Sequence, residues 1–149
     1  MPTPATLTLS PDDHAQARAL AWLEGLADEH GWPRRTLFAL QLCLEESLAN
    51  ILMHGFARPP RPEDAIELQI QQAADRVTLR ICDNGPAFDP TARASVPPAG
   101  SLDEAVPGGH GLRLMRHYLR DLHYRHAQGC NQLTLVAALD PGTHQGRQQ

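Results

Sequence analysis

One stretch of the chain carries a carboxylate, an amide and an imidazole at intervals of four residues, namely Glu46, Asn50 and His54. At about 100° per residue in a helix, this spacing places the three side chains on one side, where they could line a site. The other side of the same predicted helix carries an apolar stripe, formed by Leu37, Leu40, Leu44, Leu48 and Ile51. The spacing fits a solvated helix face equally well, but asparagine is a poor helix former, so Asn50 favours a functional role.

A second candidate lies where a predicted strand ends. Val77, Leu79 and Ile81 alternate with other residues, and the alternation stops at Asp83-Asn84-Gly85-Pro86. A turn explains the glycine and the proline, but it explains the aspartate less well. A carboxylate at a strand end that faces an apolar slot can accept a hydrogen bond from an adenine amino group. Gly85 would let the base approach the backbone.

A third candidate is the glycine-rich segment Gly108-Gly109-His110-Gly111-Leu112. It opens a helical pattern of Leu112, Met115 and Leu119 with arginines interleaved. Glycines that lead into a helix leave backbone N–H groups unpaired at its positive end, where phosphate oxygens bind. A flexible loop before an ordinary helix is the alternative, because lone glycine motifs also arise by chance.

Taken in order, the three segments resemble the ATP-binding boxes of the gyrase/Hsp90/histidine-kinase/MutL superfamily. The matching residues are Glu46, Asn50 and His54-Gly55, the run from Asp83 to Pro90, and Gly109 to Leu112. Within the superfamily, the chain is most similar to the small single-domain anti-sigma-factor serine/threonine kinases. The resemblance extends from about Leu7 to about Leu139 and includes a hairpin around Gly129-Cys130-Asn131.

The resemblance implies a role for each matched position. It makes Glu46 the general base that takes a proton from an acceptor serine, and Asn50 a ligand of Mg²⁺ on the ATP phosphates, which is chemistry that phosphoryl transfer requires. Asp83 would read the adenine amino group. The other positions implied to bind ATP are His54, Gly85, Ala87, Gly109, His110, Gly111 and Leu112. Ala87 departs from the family pattern, which usually carries a second glycine there.

Two functions follow from this resemblance. The first is an ATP-dependent serine-protein kinase and anti-sigma factor that phosphorylates a small anti-anti-sigma partner of the STAS type. The second is a non-catalytic module in which ATP or ADP controls the sequestration of a sigma factor or another regulator. Only the first needs Glu46 as a base, so its presence favours the kinase. Family resemblance also suggests a homodimer, for which Trp22 on the first helix offers a patch unless it is a core residue.

Composition limits the alternatives. With 149 residues and 42% hydrophobic content the chain fits one domain, which we place at residues 5–139. A net charge of -4 argues against direct nucleic-acid binding. Cys43, Cys82 and Cys130 lie in apolar segments without metal-ligand spacing, which predicts core residues in a reducing compartment. In a strand, His123 and His126 would point to opposite faces, which argues against zinc.

The N-terminus resembles no signal peptide, and no stretch reaches the roughly 18 consecutive apolar residues of a membrane span, so we expect a cytoplasmic protein without membrane contact.

The fold class predicted is α+β, a two-layer sandwich with a mixed, mostly antiparallel sheet and helices on one face, the histidine kinase-like ATPase fold. Asp89 to Pro107 is expected to be an ATP lid, and residues 140–149 a disordered tail. Ser10-Pro11-Asp12-Asp13 is expected to cap the first helix. The predicted elements are a strand Thr6–Leu9, a helix ending near His30, the Glu46 helix from Gly31-Trp32-Pro33, strands Ala65–Ala73 and Arg76–Cys82, a helix from Leu112, and strands Asp121–His126 and Asn131–Ala138.

Overall fold

Helices and strands alternate in the order expected from the sequence. The computed structural model describes residues 4–56, 61–91 and 109–139, so most of the predicted lid and all of the predicted tail lie outside the described residues. Within these ranges the elements are β1 (Ala5–Leu9), α1 (Ala15–His30), α2 (Arg34–His54), β2 (Ile66–Gln72), β3 (Arg76–Asp83), α3 (Gly109–Tyr118), β4 (Asp121–Ala127) and β5 (Cys130–Ala138).

The five strands form one sheet in the order β1-β2-β3-β5-β4. Every described pair of neighbours is antiparallel, so the sheet lacks the parallel pairing that the expected mixed sheet would contain. The reason lies in the last hairpin. β4 runs in the same direction as β3, but β5 lies between them and is antiparallel to both. The α+β sandwich itself is confirmed.

Alternation along the strands separates the two faces of the sheet. In β3, Val77, Leu79 and Ile81 are fully buried, whereas Arg80 on the other face is exposed. The helices pack on the apolar face and close a single core with it. Cys43 in α2 belongs to this core, as predicted. Cys82 and Cys130 alternate with buried neighbours and remain partly exposed, so the prediction of core residues is wrong for these two thiols.

Helix α2 is the central helix, and it packs against α1, α3, β3 and β5. The predicted stripe is buried from Leu40 to Ile51, although Leu37 is only partly buried. By length and composition alone α2 would pass as a membrane-spanning helix, with 21 residues and a mean hydropathy of 1.3 over its most apolar window. Its packing between the other helices and the sheet accounts for that apolar character.

The expected cap of α1 is wrong. Helix α1 begins at Ala15, and Asp12 instead accepts a hydrogen bond from the His14 amide at 2.8 Å within the preceding turn. An aspartate that closes a local turn in this way is not available to cap a helix. The predicted boundary between α1 and α2 is confirmed, since Gly31 adopts a left-handed φ of 66° and Pro33 precedes the first turn of α2. Trp22 is partly buried against the core.

Both predicted hairpins are confirmed. The first closes with the Ala73 amide donating to the Arg76 carbonyl at 2.9 Å, which leaves Ala74 and Asp75 as the turn. In the second, Gln128 and Gly129 have φ values of 55° and 75°. Two successive positive φ angles are the geometry of a tight turn that matches the twist of the flanking strands.

A backbone contact between two glycines joins the end of α2 to the turn after β3. A Cβ atom added to Gly85 would lie 2.1 Å from the carbonyl oxygen of Gly55, and one added to Gly55 would lie 2.6 Å from the carbonyl oxygen of Ile51. No side chain fits at such distances, so glycine is required at both positions. This contact fixes how α2 meets β3, and the candidate site lies at that junction.

We therefore expect Gly85→Ala to lower the free energy of unfolding by about 1–3 kcal/mol, because the methyl group forces the two backbones apart. Gly25→Ala is the matched control. An added Cβ at Gly25 meets nothing within 4 Å, so this variant should be more stable than the parent by about 0.5–1 kcal/mol. Urea unfolding measures both, and equal stability of the two variants would contradict the close contact.

Candidate functional site

A small pocket opens between the C-terminal half of α2 and the adjoining ends of β3 and β5. Apolar side chains from all three elements form much of its wall, and a few polar groups converge on it. Its lining residues are Ser47, Asn50, Ile51, Gly55, Ile81, Asp83, Phe88, Pro90, Tyr124, Asn131 and Leu133. An apolar pocket with few convergent polar groups is the usual form of a small-molecule site.

Asp83 is the buried carboxylate of this pocket, with 4% of its surface exposed. Its Oδ1 accepts hydrogen bonds from the Gly85 amide and from the Asn131 side chain, each at 3.0 Å. No described residue donates to Oδ2. Since no side-chain oxygen or nitrogen of the described residues is both fully buried and unpaired, Oδ2 keeps access to the pocket. It can accept a hydrogen bond from a bound amine.

Asn131 links Asp83 to the turn that follows it. The two residues face each other in the register of β3 and β5. The Asn131 amide group donates to Asp83 and also to the Pro86 carbonyl at 2.8 Å, and its oxygen accepts from the Phe88 amide at 3.0 Å. The hydroxyl of Tyr124 on β4 donates to the same oxygen. One buried side chain thus holds both the carboxylate and the backbone beside it.

Sequence reasoning missed Asn131 and Tyr124 as site residues. Both residues lie in the last hairpin, and Asn131 is 48 positions from Asp83 in the sequence. The available signal was a polar residue at the start of an otherwise apolar strand. That signal becomes informative only when β5 is known to pair with β3, because the pairing brings Asn131 opposite Asp83.

The environment of Asp83 opposes its ionisation. Burial raises the pKa of this carboxyl above its ordinary value of 3.8, while the hydrogen bonds from Asn131 and Gly85 and the nearby His126 act in the opposite direction. A buried carboxylate of raised pKa in a pocket is typical of a binding or catalytic group. The charged form is therefore held at some cost to stability.

The predicted face of α2 is divided between the pocket and its margin. Asn50 lines the pocket, and its side chain makes no hydrogen bond to any described residue. His54 stacks on Phe88 with ring centroids 5.2 Å apart, so it supports the pocket wall. Glu46 is half-buried one turn before Asn50 and does not line the pocket. It lies close to the thiol of Cys43, whose pKa burial and the Glu46 charge raise to about 12.

The third predicted segment opens α3, which begins at Gly109. Leu112 is buried in the core, and Met115 contacts the hydroxyl of Ser47 on α2 at 3.6 Å, so α3 flanks the pocket helix. Gly108 lies outside the described ranges, as does the side chain of His110. Ala87 is exposed in the turn after β3. Its methyl group is compatible with the fold.

The polar groups of the pocket are compatible with ATP and Mg²⁺. No described residue donates to Oδ2 of Asp83, and Ile51, Ile81 and Leu133 line the same pocket, which suits the amino group and the apolar ring of adenine. The described residues contain no group of three or more metal-ligating side chains. Magnesium commonly keeps several waters and binds through few protein oxygens plus substrate phosphates, so Asn50 fits a metal that arrives with a nucleotide.

Comparison with known families agrees with this geometry. A model of the histidine kinase-like ATPase domain matches residues 9–137. The chain belongs to the histidine kinase-like ATPase family. Among relatives in this family, the serine/threonine-protein kinase BtrW of Bordetella bronchiseptica is 47% identical over 136 residues, covering 91% of this chain and 94% of BtrW. The serine-protein kinase RsbW of Listeria innocua is 26% identical, covering 72% of this chain and 69% of RsbW. The predicted family and kinase class are confirmed by these relatives.

Solved structures share the histidine kinase-like ATPase fold. A structure of the RsbU and RsbW domains of a Mycobacterium tuberculosis protein superposes with a TM-score of 0.67 at 18% identity, over 93% of this chain and 33% of that longer chain. The histidine kinase AdeS of Acinetobacter baumannii superposes with a TM-score of 0.51 at 10% identity, over 91% of this chain and 68% of AdeS. At these identities the likeness concerns the fold alone.

Asp83→Asn should affect the free energy of unfolding and the affinity for ATP in different ways. Because the folded pKa of Asp83 is raised, its contribution to stability is greatest below its ordinary pKa of 3.8 and is lost as pH rises through the folded value. Asparagine keeps an oxygen for Gly85 and Asn131 but carries no charge. The variant should therefore match or exceed the parent in free energy of unfolding at neutral pH, and its advantage should shrink on acidification, as urea unfolding at several pH values would measure.

The same variant should bind ATP more weakly and lose preference for adenine. An amide nitrogen in place of Oδ2 presents a donor to the adenine amino group, which is itself a donor. Calorimetry with ATP and GTP measures this change. Asp75→Asn, an exposed substitution at the opposite end of β3, is the control. ATP binding by Asp83→Asn as tight as that of the parent would refute the assignment of Asp83 as the adenine reader.

Asn131→Ala should impair both the fold and the pocket. It leaves the Pro86 carbonyl and the Phe88 amide without their side-chain partner, and we expect a loss of about 1–3 kcal/mol in unfolding free energy together with weaker ATP binding. Tyr124→Phe removes one hydroxyl while the Phe88 amide still binds Asn131, so its effect should be smaller. If Asn131→Ala binds ATP like the parent, the orientation of Asp83 does not depend on Asn131.

Proposed function

We propose that the chain is an ATP-dependent serine-protein kinase and anti-sigma factor whose substrate is a small anti-anti-sigma protein of the STAS type. The observation that carries the proposal is Asp83, a buried carboxylate with one oxygen committed to Asn131 and Gly85 and the other facing an apolar pocket. The names of its relatives as serine kinases support the reaction class.

In this proposal the pocket residues bind and orient the nucleotide. Asp83 accepts a hydrogen bond from the adenine amino group, and the apolar side chains that line the pocket contact the ring. Asn50 lies about one turn before the end of α2, and its amide pairs with no described residue, so its oxygen would hold Mg²⁺, which offsets negative charge on the phosphates. The backbone N–H groups at Gly109 and Gly111 begin α3 and would meet the phosphates.

Glu46 takes the remaining role. Its carboxylate is half-buried, makes no hydrogen bond or ion pair with a described residue, and lies one helical turn from Asn50. A base must reach the nucleophile without occupying the nucleotide pocket, and Glu46 meets that condition because it lies outside the pocket lining. It would take the proton of an acceptor serine as the phosphoryl group is transferred.

A non-catalytic module that holds a sigma factor under ATP or ADP control remains the second candidate. It uses the same Asp83 and Asn50 but assigns no role to the Glu46 carboxylate, which pairs with no described residue. We further propose a cytoplasmic location, as expected for such a regulator. The homodimer suggested by the resemblance stays a prediction, and light scattering against the monomer mass of 16.4 kDa measures it.

Glu46→Gln should separate catalysis from nucleotide binding. Because Glu46 lies outside the pocket lining, ATP affinity should stay close to that of the parent. Phosphoryl transfer to the acceptor serine should fall by about 10²–10⁴-fold, the usual effect of losing a general base. Labelled ATP with purified STAS-type proteins measures the transfer, and calorimetry measures the affinity.

Glu45→Gln is the matched control, since it makes the same change at an exposed neighbour on the same helix. Asn50→Ala should instead weaken Mg-ATP binding itself. The binding-module candidate expects no phosphoserine with any partner and identical partner affinity for the parent and Glu46→Gln. Undiminished transfer by Glu46→Gln would leave positioning and magnesium as the only catalytic elements.

A further inference from the structure

The large hydrophobic side chains that are exposed are not scattered over the molecule. Within the described residues they are Phe38, Met53, Leu114 and Tyr118, with 49%, 57%, 40% and 40% of their surfaces exposed. All four lie on α2 and α3. Single exposed apolar residues need no explanation, but a cluster confined to two neighbouring helices marks an interaction surface.

The two helices bring Phe38 and Tyr118 together. The rings of Phe38 and Tyr118 meet edge to face with centroids 5.4 Å apart, and Ser47 contacts Met115 at 3.6 Å. As residue numbers rise along α2 the contacts fall along α3, so the helices are antiparallel. At about 100° per residue, Phe38 and Met53 lie within about 60° of each other on the side of α2 away from its buried face.

One end of this surface is basic. Arg34, Arg35 and His117 line a groove together with Phe38 and Tyr118. Neither arginine forms an ion pair with a described residue, although the whole chain carries a net charge of -4. The first turn of α2 contains no acidic residue. Positive charges at a helix N-terminus oppose the helix dipole and weaken the fold, which favours a role for them outside folding.

The proposed base lies on the same side of α2. Glu46 is eight residues after Phe38 and seven before Met53, which is about 12 Å and about 10 Å along the helix axis. It lies about 20° from Met53 around the helix. A protein seated against Phe38 and Met53 would therefore lie over the Glu46 carboxylate, where an acceptor hydroxyl must be placed.

We propose that this α2–α3 surface, formed by Phe38, Met53, Leu114 and Tyr118 with Arg34 and Arg35, is the docking site of the protein that carries the acceptor serine. The inference rests on the proposed kinase function. The partner presents apolar side chains to the four exposed residues and carboxylates to the two arginines. Aromatic residues, methionine and arginine are the residue types enriched at protein interfaces, and charge complementarity argues for an acidic partner surface.

The test uses the full-length protein and purified STAS-type proteins encoded in the same genome as probes. The probe of interest is the STAS-type protein that the parent phosphorylates. Phe38→Ala should weaken binding of this protein by about tenfold or more, mainly through faster dissociation. The double variant Arg34→Glu/Arg35→Glu should slow association and reduce its dependence on salt. ATP affinity should be unchanged in both, because neither alters a pocket residue.

The kinetic pattern distinguishes docking from catalysis. Phe38→Ala should raise the KM for the acceptor protein and leave kcat near that of the parent, whereas Glu46→Gln should lower kcat. Arg80→Glu is the matched control for charge reversal, since Arg80 is exposed on the opposite face of the sheet. Thermal unfolding of each variant separates a lost contact from a lost fold, and the arginine variant tests the surface without touching its apolar part.

Three results would overturn the proposal. A probe that is phosphorylated and binds Phe38→Ala and the arginine variant as tightly as the parent would refute the docking site and leave the kinase function intact. A parent dimer that Phe38→Ala converts to monomer, with acceptor binding unchanged, would assign the surface to a second copy of the chain. If no STAS-type protein binds or is phosphorylated by the parent, the proposed partner class and this docking site fail together.

Discussion

The hydrogen bond between Asn131 and Asp83 is the interaction on which the site depends. It joins the ends of two central strands, commits one carboxylate oxygen to the protein and leaves the other facing the pocket. The same amide donates to the Pro86 carbonyl, so it also fixes the position of the backbone just beyond β3. A buried polar network of this kind specifies one arrangement because each alternative would leave a polar group unpaired in an apolar setting.

The fold was largely predictable because its elements are encoded locally. Alternation in β3, the apolar stripe of α2 and the two tight turns at Ala74-Asp75 and Gln128-Gly129 each depend on neighbouring residues. Sheet order was not predictable in the same way. Whether β5 lies inside or outside β4 is decided by packing across the sheet, and no short segment contains that information. The predicted cap of α1 was wrong because Asp12 accepts a hydrogen bond from the His14 amide in the preceding turn.

Within the candidate site, the sequence pointed to groups with distinctive chemistry and missed the side chains that orient them. Residue type and spacing made Asp83, Asn50 and Glu46 candidates, the family resemblance implied the roles of Asn50 and Glu46, and the structure brings Asp83 and Asn50 into one pocket. Asn131 and Tyr124 act through contacts that form only when distant strands meet. From the sequence, Gly85 was expected to let the adenine base approach the backbone. In the structure, the nearby carbonyl oxygen of Gly55 is what leaves no room for a side chain at Gly85. The glycine thus serves the protein's own backbone at the junction of α2 and β3.

The position of β5 between β3 and β4 has a consequence for synthesis. A nascent chain that ends at Leu119 contains Asp83, Asn50 and the three described helices, but neither Asn131 nor Leu133. The pocket lacks the residues of its last wall until the final hairpin pairs with β3. The hydrogen bond between Asn131 and Asp83 that accompanies this pairing joins residues 48 positions apart. A nascent or clipped chain that ends before this hairpin therefore lacks Tyr124, Asn131 and Leu133, and the pocket cannot form in it.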